Sequence, residues 1–154
     1  MYEQDPRWSH VDEYTLKHLH PASRPNYTDH LNCLGHCKKK GLIDISAQPT
    51  VSKFLARQCR LANVKHALEV GTLAGDTAIW IASENRQIKV SSIEVDSGCA
   101  NVARFNIAAA GLAERIEVVG GVATQDVATL LSQVENGYRP CFGYMFINAD
   151  KLND

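Results

Sequence analysis

The sequence has 154 residues, of which 45% are hydrophobic, so it is long enough to bury the core of one domain and too short for two. Its formal net charge of −1 gives no electrostatic basis for binding nucleic acid or a charged membrane surface. No apolar run approaches the roughly 20 residues of a membrane helix, and the polar first residues are not typical of a secretory signal.

The first 45 residues predict an arm and two helices ahead of the main domain. We expect residues 1–10 to be a loose arm and residues 11–20 to form a short helix that Pro21 stops. A second helix is predicted over residues 27–40. Gly41 follows it directly, as is common where a helix closes in the left-handed backbone region.

Histidines and cysteines cluster on this second helix, where His30, Cys33 and Cys37 are spaced to share one face. Such a set can bind zinc, but the spacing differs from known zinc signatures. We therefore prefer a half-buried helix face and assign no metal site. The whole sequence contains five cysteines, an odd and scattered set, which favours a reducing, cytoplasmic setting.

From residue 46 onward, apolar runs alternate with helical patterns. Pro49 suits the first turn of a helix that continues to Leu61. Strands are predicted over residues 66–70, 88–95, 115–119 and 142–148. The helices between them include Ile79–Ile81, then residues 96–110, then Val127, Leu130, Leu131 and Val134. This alternation predicts an α/β fold in which helices cover both faces of a mostly parallel sheet.

A turn with two glycines, residues 71–75, joins the first strand to the next helix. Glycine lets the backbone approach a ligand closely, and the helix N-terminus offers free N–H groups. Ligands of parallel sheets bind at the carboxyl ends of the strands. We therefore expect one pocket with four faces, which are residues 71–75, Glu94, residues 121–123 and residues 148–151.

Glu94 lies near the carboxyl end of the second predicted strand, about 23 positions after Gly71. This offset is close to the one at which an acidic side chain accepts hydrogen bonds from ribose hydroxyls in nucleotide-binding folds. The turn lacks the G-x-G-x-x-G spacing, so a ligand with ribose but no pyrophosphate fits better. An exposed strand-end carboxylate without a ligand is the alternative, and it stays open at this point.

Four blocks of the sequence, in order, resemble the caffeoyl-CoA and catechol type of S-adenosylmethionine-dependent O-methyltransferases. They are residues 68–75, 92–96, 103–116 and 146–151. The resemblance runs from about residue 45 to the end. It implies a Rossmann-like class I methyltransferase domain over residues 46–154, preceded by N-terminal helices in residues 1–45 and truncated after the fourth strand.

The resemblance also implies a binding site for S-adenosylmethionine. Thr77 would offer a hydroxyl to the carboxylate of the cofactor, Glu94 would bind the ribose, and Val122 and Ala123 would pass beside the adenine. The full set of implied cofactor-binding residues is Glu69, Gly71, Thr72, Gly75, Thr77, Glu94, Val95, Val122 and Ala123.

Lys151 and Asn148 are the candidate catalytic residues. Lys151 matches a family lysine that helps to deprotonate the acceptor hydroxyl, a role that requires a lowered pKa; a solvated lysine is the alternative. Asn148 stands where family members have an aspartate that binds a divalent cation. Because a neutral amide is a weaker ligand than a carboxylate, no divalent metal is expected.

Family members continue beyond the fourth strand with three more strands. Without them, residues 142–147 would form an apolar sheet edge with unpaired N–H and C=O groups. The sequence therefore predicts that the chain forms a homo-oligomer, such as a dimer, or pairs with a partner chain along this strand.

Two functions remain open. The first is an O-methyltransferase that acts on a hydroxyl of a small aromatic or polyketide-like molecule and is completed by oligomerisation. The second is a truncated relative without methyl transfer, which serves as a binding or partner subunit or catalyses a reaction such as isomerisation or cyclisation. Glu69, Gly71, Gly75 and Glu94 favour a cofactor pocket, whereas Asn148 favours the second function.

Overall fold

Helices alternate with four parallel strands in the computed structural model, which describes residues 10, 11, 14, 25–42 and 46–149. The helices are α1 (Pro25–Lys40), α2 (Pro49–Leu61), α3 (Asp76–Glu84), α4 (Ser97–Ala109) and α5 (Ala123–Glu135). The strands are β1 (His66–Val70), β2 (Lys89–Glu94), β3 (Ile116–Gly120) and β4 (Tyr144–Ile147). Val11 and Tyr14 have helical backbone, and the rest of the helix predicted over residues 11–20 lies outside the described residues.

The strands form one sheet in the order β3-β2-β1-β4, with every neighbouring pair parallel. In the register, Val70 lies between Ile93 of β2 and Ile147 of β4. The chain therefore leaves β1 towards one side of the sheet and later returns to its other side. In open α/β sheets, this reversal places the ligand crevice at the carboxyl ends of the strands.

Both faces of the sheet carry helices, so the predicted α/β arrangement is confirmed. On one face, Ala67, Val90 and Ile116 join a large cluster with buried side chains of α1, α2, α3 and α4. On the other face, Leu68 and Val70 meet a smaller cluster that includes Leu130 of α5. Successive strand residues point to opposite faces, which explains how β1 serves both clusters.

Helix α5 covers only part of the sheet face that carries the smaller cluster. The spacing of Val127, Leu130, Leu131 and Val134 predicts a helix that packs along one face, but Leu130 is the buried member of this set. In β4, Met145 and Ile147 are 62% and 71% exposed and pair in register with Leu68 and Val70. Among the described strands β4 is an edge, as predicted, and its face on this side is apolar and uncovered.

None of the helices in the described part of the chain is both long enough and apolar enough to span a membrane.

Gly71 closes β1 in a conformation that only glycine adopts without strain. Its φ is +94°, and its N–H donates to the carbonyl of Ile93 over 2.9 Å. A Cβ atom at this position would lie 2.7 Å from the carbonyl oxygen of Asn148. The backbone after β4 therefore packs directly against the backbone after β1.

We expect Gly71→Ala to lower the free energy of unfolding by at least about 2 kcal/mol, because it combines left-handed strain with a backbone clash. Urea denaturation of the purified chain measures the change. Gly35→Ala is the matched control: Gly35 lies in α1, and a methyl group added there would meet no neighbouring atom within 4 Å. Removing a helical glycine stabilises by up to about 1 kcal/mol. Equal stabilities for the two variants would contradict the packing described for Gly71.

Candidate functional site

A cavity of about 290 Å³ opens at the carboxyl ends of the four strands. This volume is at the lower end of the range for small-molecule sites. All four faces predicted from the sequence contribute to it, and Ser46 and Ala47 before α2 close one side. The contributions of the strand ends are residues 71–74 after β1, residues 94–96 after β2, Gly121 and Ala123 after β3, and Asn148 and Ala149 after β4.

The carboxylate of Glu94 is fixed at the wall of this cavity. Its Oε2 accepts hydrogen bonds from the backbone N–H groups of Thr72, over 3.1 Å, and Leu73, over 2.8 Å. Its Oε1 accepts from the N–H of Asp96 over 2.9 Å. Glu94 is 9% exposed and lines the cavity, so its carboxylate is not exposed to solvent at the end of the strand. A carboxylate has about four acceptor positions, and one is left for a ligand.

Glu69 lies beneath the turn and does not line the cavity. It is 2% exposed, and its Oε2 accepts a hydrogen bond from the hydroxyl of Ser92, which also bonds to Thr72 Oγ1 over 2.5 Å. Burial raises the pKa of Glu69 to about 8, and the carboxylates of Asp76 and Glu94 contribute to the rise against the opposing effect of Ser92. At neutral pH Glu69 is therefore mostly protonated and acts as a buried neutral group.

Of the other implied cofactor-binding residues, some line the cavity and some do not. Gly75, with a φ of +84°, precedes α3 and packs against Ala103 and Ile107, and Val122 is largely exposed; neither contributes to the cavity wall. The residues that do line it are Gly71, Thr72, Thr77, Glu94, Val95 and Ala123.

Of the two candidate catalytic residues, one can be placed. Asn148 lines the cavity, and its backbone N–H donates to the carbonyl of Val70 over 2.9 Å, which extends the pairing of β4 with β1. Lys151 lies outside the described residues.

Helix α1 packs its histidine and cysteine face onto the turn after β1. Cys33 Sγ donates to the carbonyl of Ala74 over 3.6 Å, and the side chain of Asn106 from α4 donates to the same oxygen over 2.9 Å. His36 Nδ1 in turn donates to Asn106 Oδ1. Cys33 and Cys37 belong to the core, which confirms the interpretation of a buried helix face. Within the described ranges, no three metal-binding side chains come together.

Asp76 is a cavity residue that the sequence pattern did not single out. It occupies the first turn of α3, lines the cavity and is 3% exposed. Its Oδ1 accepts a hydrogen bond from His30 Nδ1 of α1 over 3.0 Å. The sequence does show an acidic residue directly after the second glycine of the turn, which could have indicated Asp76. Its histidine partner could not be found in this way, because it lies far away along the chain.

The O-methyltransferase family matches residues 22–154 of this chain. Over 152 residues the chain is 54% identical to O-methyltransferase imqG of Aspergillus flavus, in a match that covers 99% of this chain and 62% of that protein. Over 113 residues it is 37% identical to a catechol O-methyltransferase of Mycobacterium tuberculosis, in a match that covers 73% of this chain and 47% of that protein.

Two solved structures show the same architecture. The O-methyltransferase from Bacillus cereus in complex with SAH aligns with a TM-score of 0.83 at 31% identity, over 95% of this chain and 63% of that one. The O-methyltransferase TomG from Streptomyces achromogenes in complex with SAM aligns with a TM-score of 0.75 at 25% identity, over 97% of this chain and 64% of that one. The predicted Rossmann-like methyltransferase fold is confirmed, and the chain spans less than two thirds of the length of each of these four proteins.

The buried Glu69 predicts how stability depends on pH. Because its pKa is about 8 in the folded chain and 4.5 ordinarily, the folded state holds the proton more tightly. Its contribution to stability is complete below pH 4.5 and is lost as the pH rises towards 8, with a slope of up to about 1.4 kcal/mol per pH unit.

Urea denaturation at a series of pH values measures this slope. Glu69→Gln, which carries a permanently neutral amide, should remove that part of the dependence and leave the variant the more stable protein near pH 8. A wild-type slope that matches the slope of Glu69→Gln would show that Glu69 is not buried as a neutral acid.

Proposed function

Because the chain belongs to the O-methyltransferase family, we propose that it binds S-adenosylmethionine in the cavity at the strand ends and directs methyl transfer to a hydroxyl group. The proposed acceptor is a small aromatic or polyketide-like molecule. The observation that carries the proposal is the carboxylate of Glu94, held by three backbone N–H groups at the wall of a cavity that also contains the glycine turn. Solved relatives of the same fold contain SAH or SAM.

The residues of the cavity fit this cofactor. The remaining acceptor position of Glu94 suits a hydroxyl of a ribose, and Val95 and Ala123 give an apolar surface for an adenine ring. At the other end, the hydroxyl of Thr77 and the backbone of Gly71 and Thr72 suit the amino-acid portion. When bound, S-adenosylmethionine supplies an activated methyl group, and the cavity residues supply position and orientation.

Asn148 and Lys151 would serve the acceptor. Asn148 reaches the cavity from the end of β4, where a neutral amide offers hydrogen bonds to an acceptor molecule but binds a hard cation weakly. Lys151 follows shortly after it in the sequence and would take the proton of the hydroxyl. The proposal therefore assigns no divalent metal to the site.

The outer side of β4 is proposed as the contact surface for a second copy of the chain. Met145 and Ile147 expose apolar side chains, and the backbone of an edge strand presents unpaired N–H and C=O groups. Pairing along residues 142–147 would satisfy these backbone groups, would set side chains of the second copy beside Met145 and Ile147, and would extend the wall beside Asn148. In this proposal, the homo-oligomer therefore helps to form the site that binds the small-molecule acceptor.

A binding or partner subunit without methyl transfer is the second candidate, which includes the case of another reaction such as isomerisation or cyclisation. Asn148 favours it, because the resemblance places a metal-binding aspartate at this position. A cofactor cavity with no turnover towards any phenolic acceptor would support this second candidate.

Calorimetry with S-adenosylmethionine tests the proposed cofactor site. We expect micromolar binding to the wild type and a loss of about 10- to 100-fold in Glu94→Gln, because charge-assisted hydrogen bonds to the ribose are weakened. Glu114→Gln is the matched control, since Glu114 is exposed beside the amino end of β3. Absence of binding to the wild type at millimolar cofactor would refute the proposed function.

The oligomeric state in solution tests the proposed β4 contact. We expect a dimer by light scattering, and we expect Ile147→Lys to give a monomer because a charge would be buried at the strand interface. Leu61→Lys is the control, because Leu61 is 82% exposed at the end of α2, ahead of the amino end of β1. A monomeric wild type would rule out this contact.

A further inference from the structure

Asp76, a residue of the cavity wall, has a buried carboxylate oxygen that pairs with none of the described residues. The side chain is 3% exposed, and its Oδ1 is bonded to His30 Nδ1 over 3.0 Å. Its Oδ2 is buried and has no hydrogen-bond partner among the described residues. Buried polar atoms are nearly always hydrogen-bonded, and a buried charged oxygen without a partner is costly. Asp76 lines the cavity, and Oδ2 is the oxygen of its carboxylate that pairs with none of the described residues.

Asp76 makes its surroundings more negative. Burial and then the carboxylate of Asp76 raise the pKa of Asp29 on α1, and Asp76 and Glu94 both add to the raised pKa of Glu69. The described residues that line the cavity include no lysine or arginine. A cation inside this cavity would therefore meet attraction from Asp76 and Glu94 without competition from a basic side chain of the wall.

Resting on the proposed function, we propose that Asp76 binds the ammonium group at the amino-acid end of the cofactor and that His30 is the positioning residue that holds Asp76 in place. Asp76 directly precedes Thr77, the residue expected to meet the carboxylate of the same amino-acid portion. Both residues lie in the first turn of α3 and line the cavity, so this turn offers a carboxylate and a hydroxyl to a group that carries one positive and one negative charge.

The pairing with His30 makes α1 part of this recognition. His30 is buried, and Cys33, one turn later on the same face, donates to the carbonyl of Ala74 next to the site. Helix α1 therefore holds the turn from outside the sheet while His30 fixes one oxygen of Asp76. With Oδ1 fixed, the second oxygen has a defined position, which reduces the entropy lost when a ligand binds.

Calorimetry with three ligands tests the assignment: S-adenosylhomocysteine, its deaminated analogue and 5′-methylthioadenosine, which lacks the whole amino-acid portion. We expect Asp76→Asn to weaken S-adenosylhomocysteine at least about tenfold, because a charge-assisted hydrogen bond is lost, and to leave the other two ligands unchanged. His30→Gln should give a smaller loss with the same selectivity. A merely structural role of His30 would weaken all three ligands alike.

Asp96→Asn is the control, because Asp96 is another acid of the cavity wall and asparagine preserves its cap on the N–H of Cys99. It should change the three affinities by one common factor. Equal losses for all three ligands in Asp76→Asn would overturn the assignment while leaving the cofactor site intact. A wild type that binds none of the ligands would instead refute the proposed function.

The wild type alone gives a second test, which is needed if Asp76→Asn does not fold. The deaminated analogue should bind the wild type at least about tenfold more weakly than S-adenosylhomocysteine. Equal binding of these two ligands would overturn the role of Asp76.

Discussion

The carboxylate of Glu94 accepts hydrogen bonds from the N–H groups of Thr72 and Leu73, and this contact joins the end of β2 to the turn after β1. On the other side of the turn, Cys33 from α1 and Asn106 from α4 both donate to the carbonyl of Ala74. The turn is thus held by three separate elements. Its glycines allow the backbone conformations with positive φ, and the surrounding side chains fix the position of the turn through hydrogen bonds. The shape of the cavity depends on this arrangement, because residues 71–74 of the turn line it.

Three acidic side chains meet around this turn, and their surroundings give them different properties. Glu69 lies in the core with a serine hydroxyl and is mostly neutral, since its pKa is about 8. Glu94 has backbone N–H donors on both oxygens, which fix the position of its carboxylate. Within the described part of the chain, Asp76 has a partner for one oxygen, the imidazole of His30. One group is therefore structural, one is a fixed acceptor, and one is left incompletely paired at the cavity.

The elements of this fold could be predicted from the sequence because their signals are local. The apolar run of β1, the turn glycines and Gly111 after α4 specify strand, turn and helix end within a few residues of themselves. The pocket followed from the general geometry of parallel sheets. The burial of the acidic side chains and their hydrogen-bond partners could not be predicted in the same way. The contacts of Glu69 with Ser92 and of Asp76 with His30 join positions that are distant in the sequence. The exposure of Val127 and Leu131 was also missed, because helical spacing does not show whether another element covers that face.

The position of β1 has a consequence for how the chain folds as it is synthesised. Its partner β2 follows it after a single helix, but the residues that pair with Ala67 and Val70 on its other side, Tyr144 and Ile147, emerge last among the described strands. Throughout that interval the central strand of the sheet has one open side. Closing so long a loop is slow compared with forming a helix or a neighbouring strand pair. The nascent chain is therefore most vulnerable to capture by chaperones or to misassociation just before β4 leaves the ribosome.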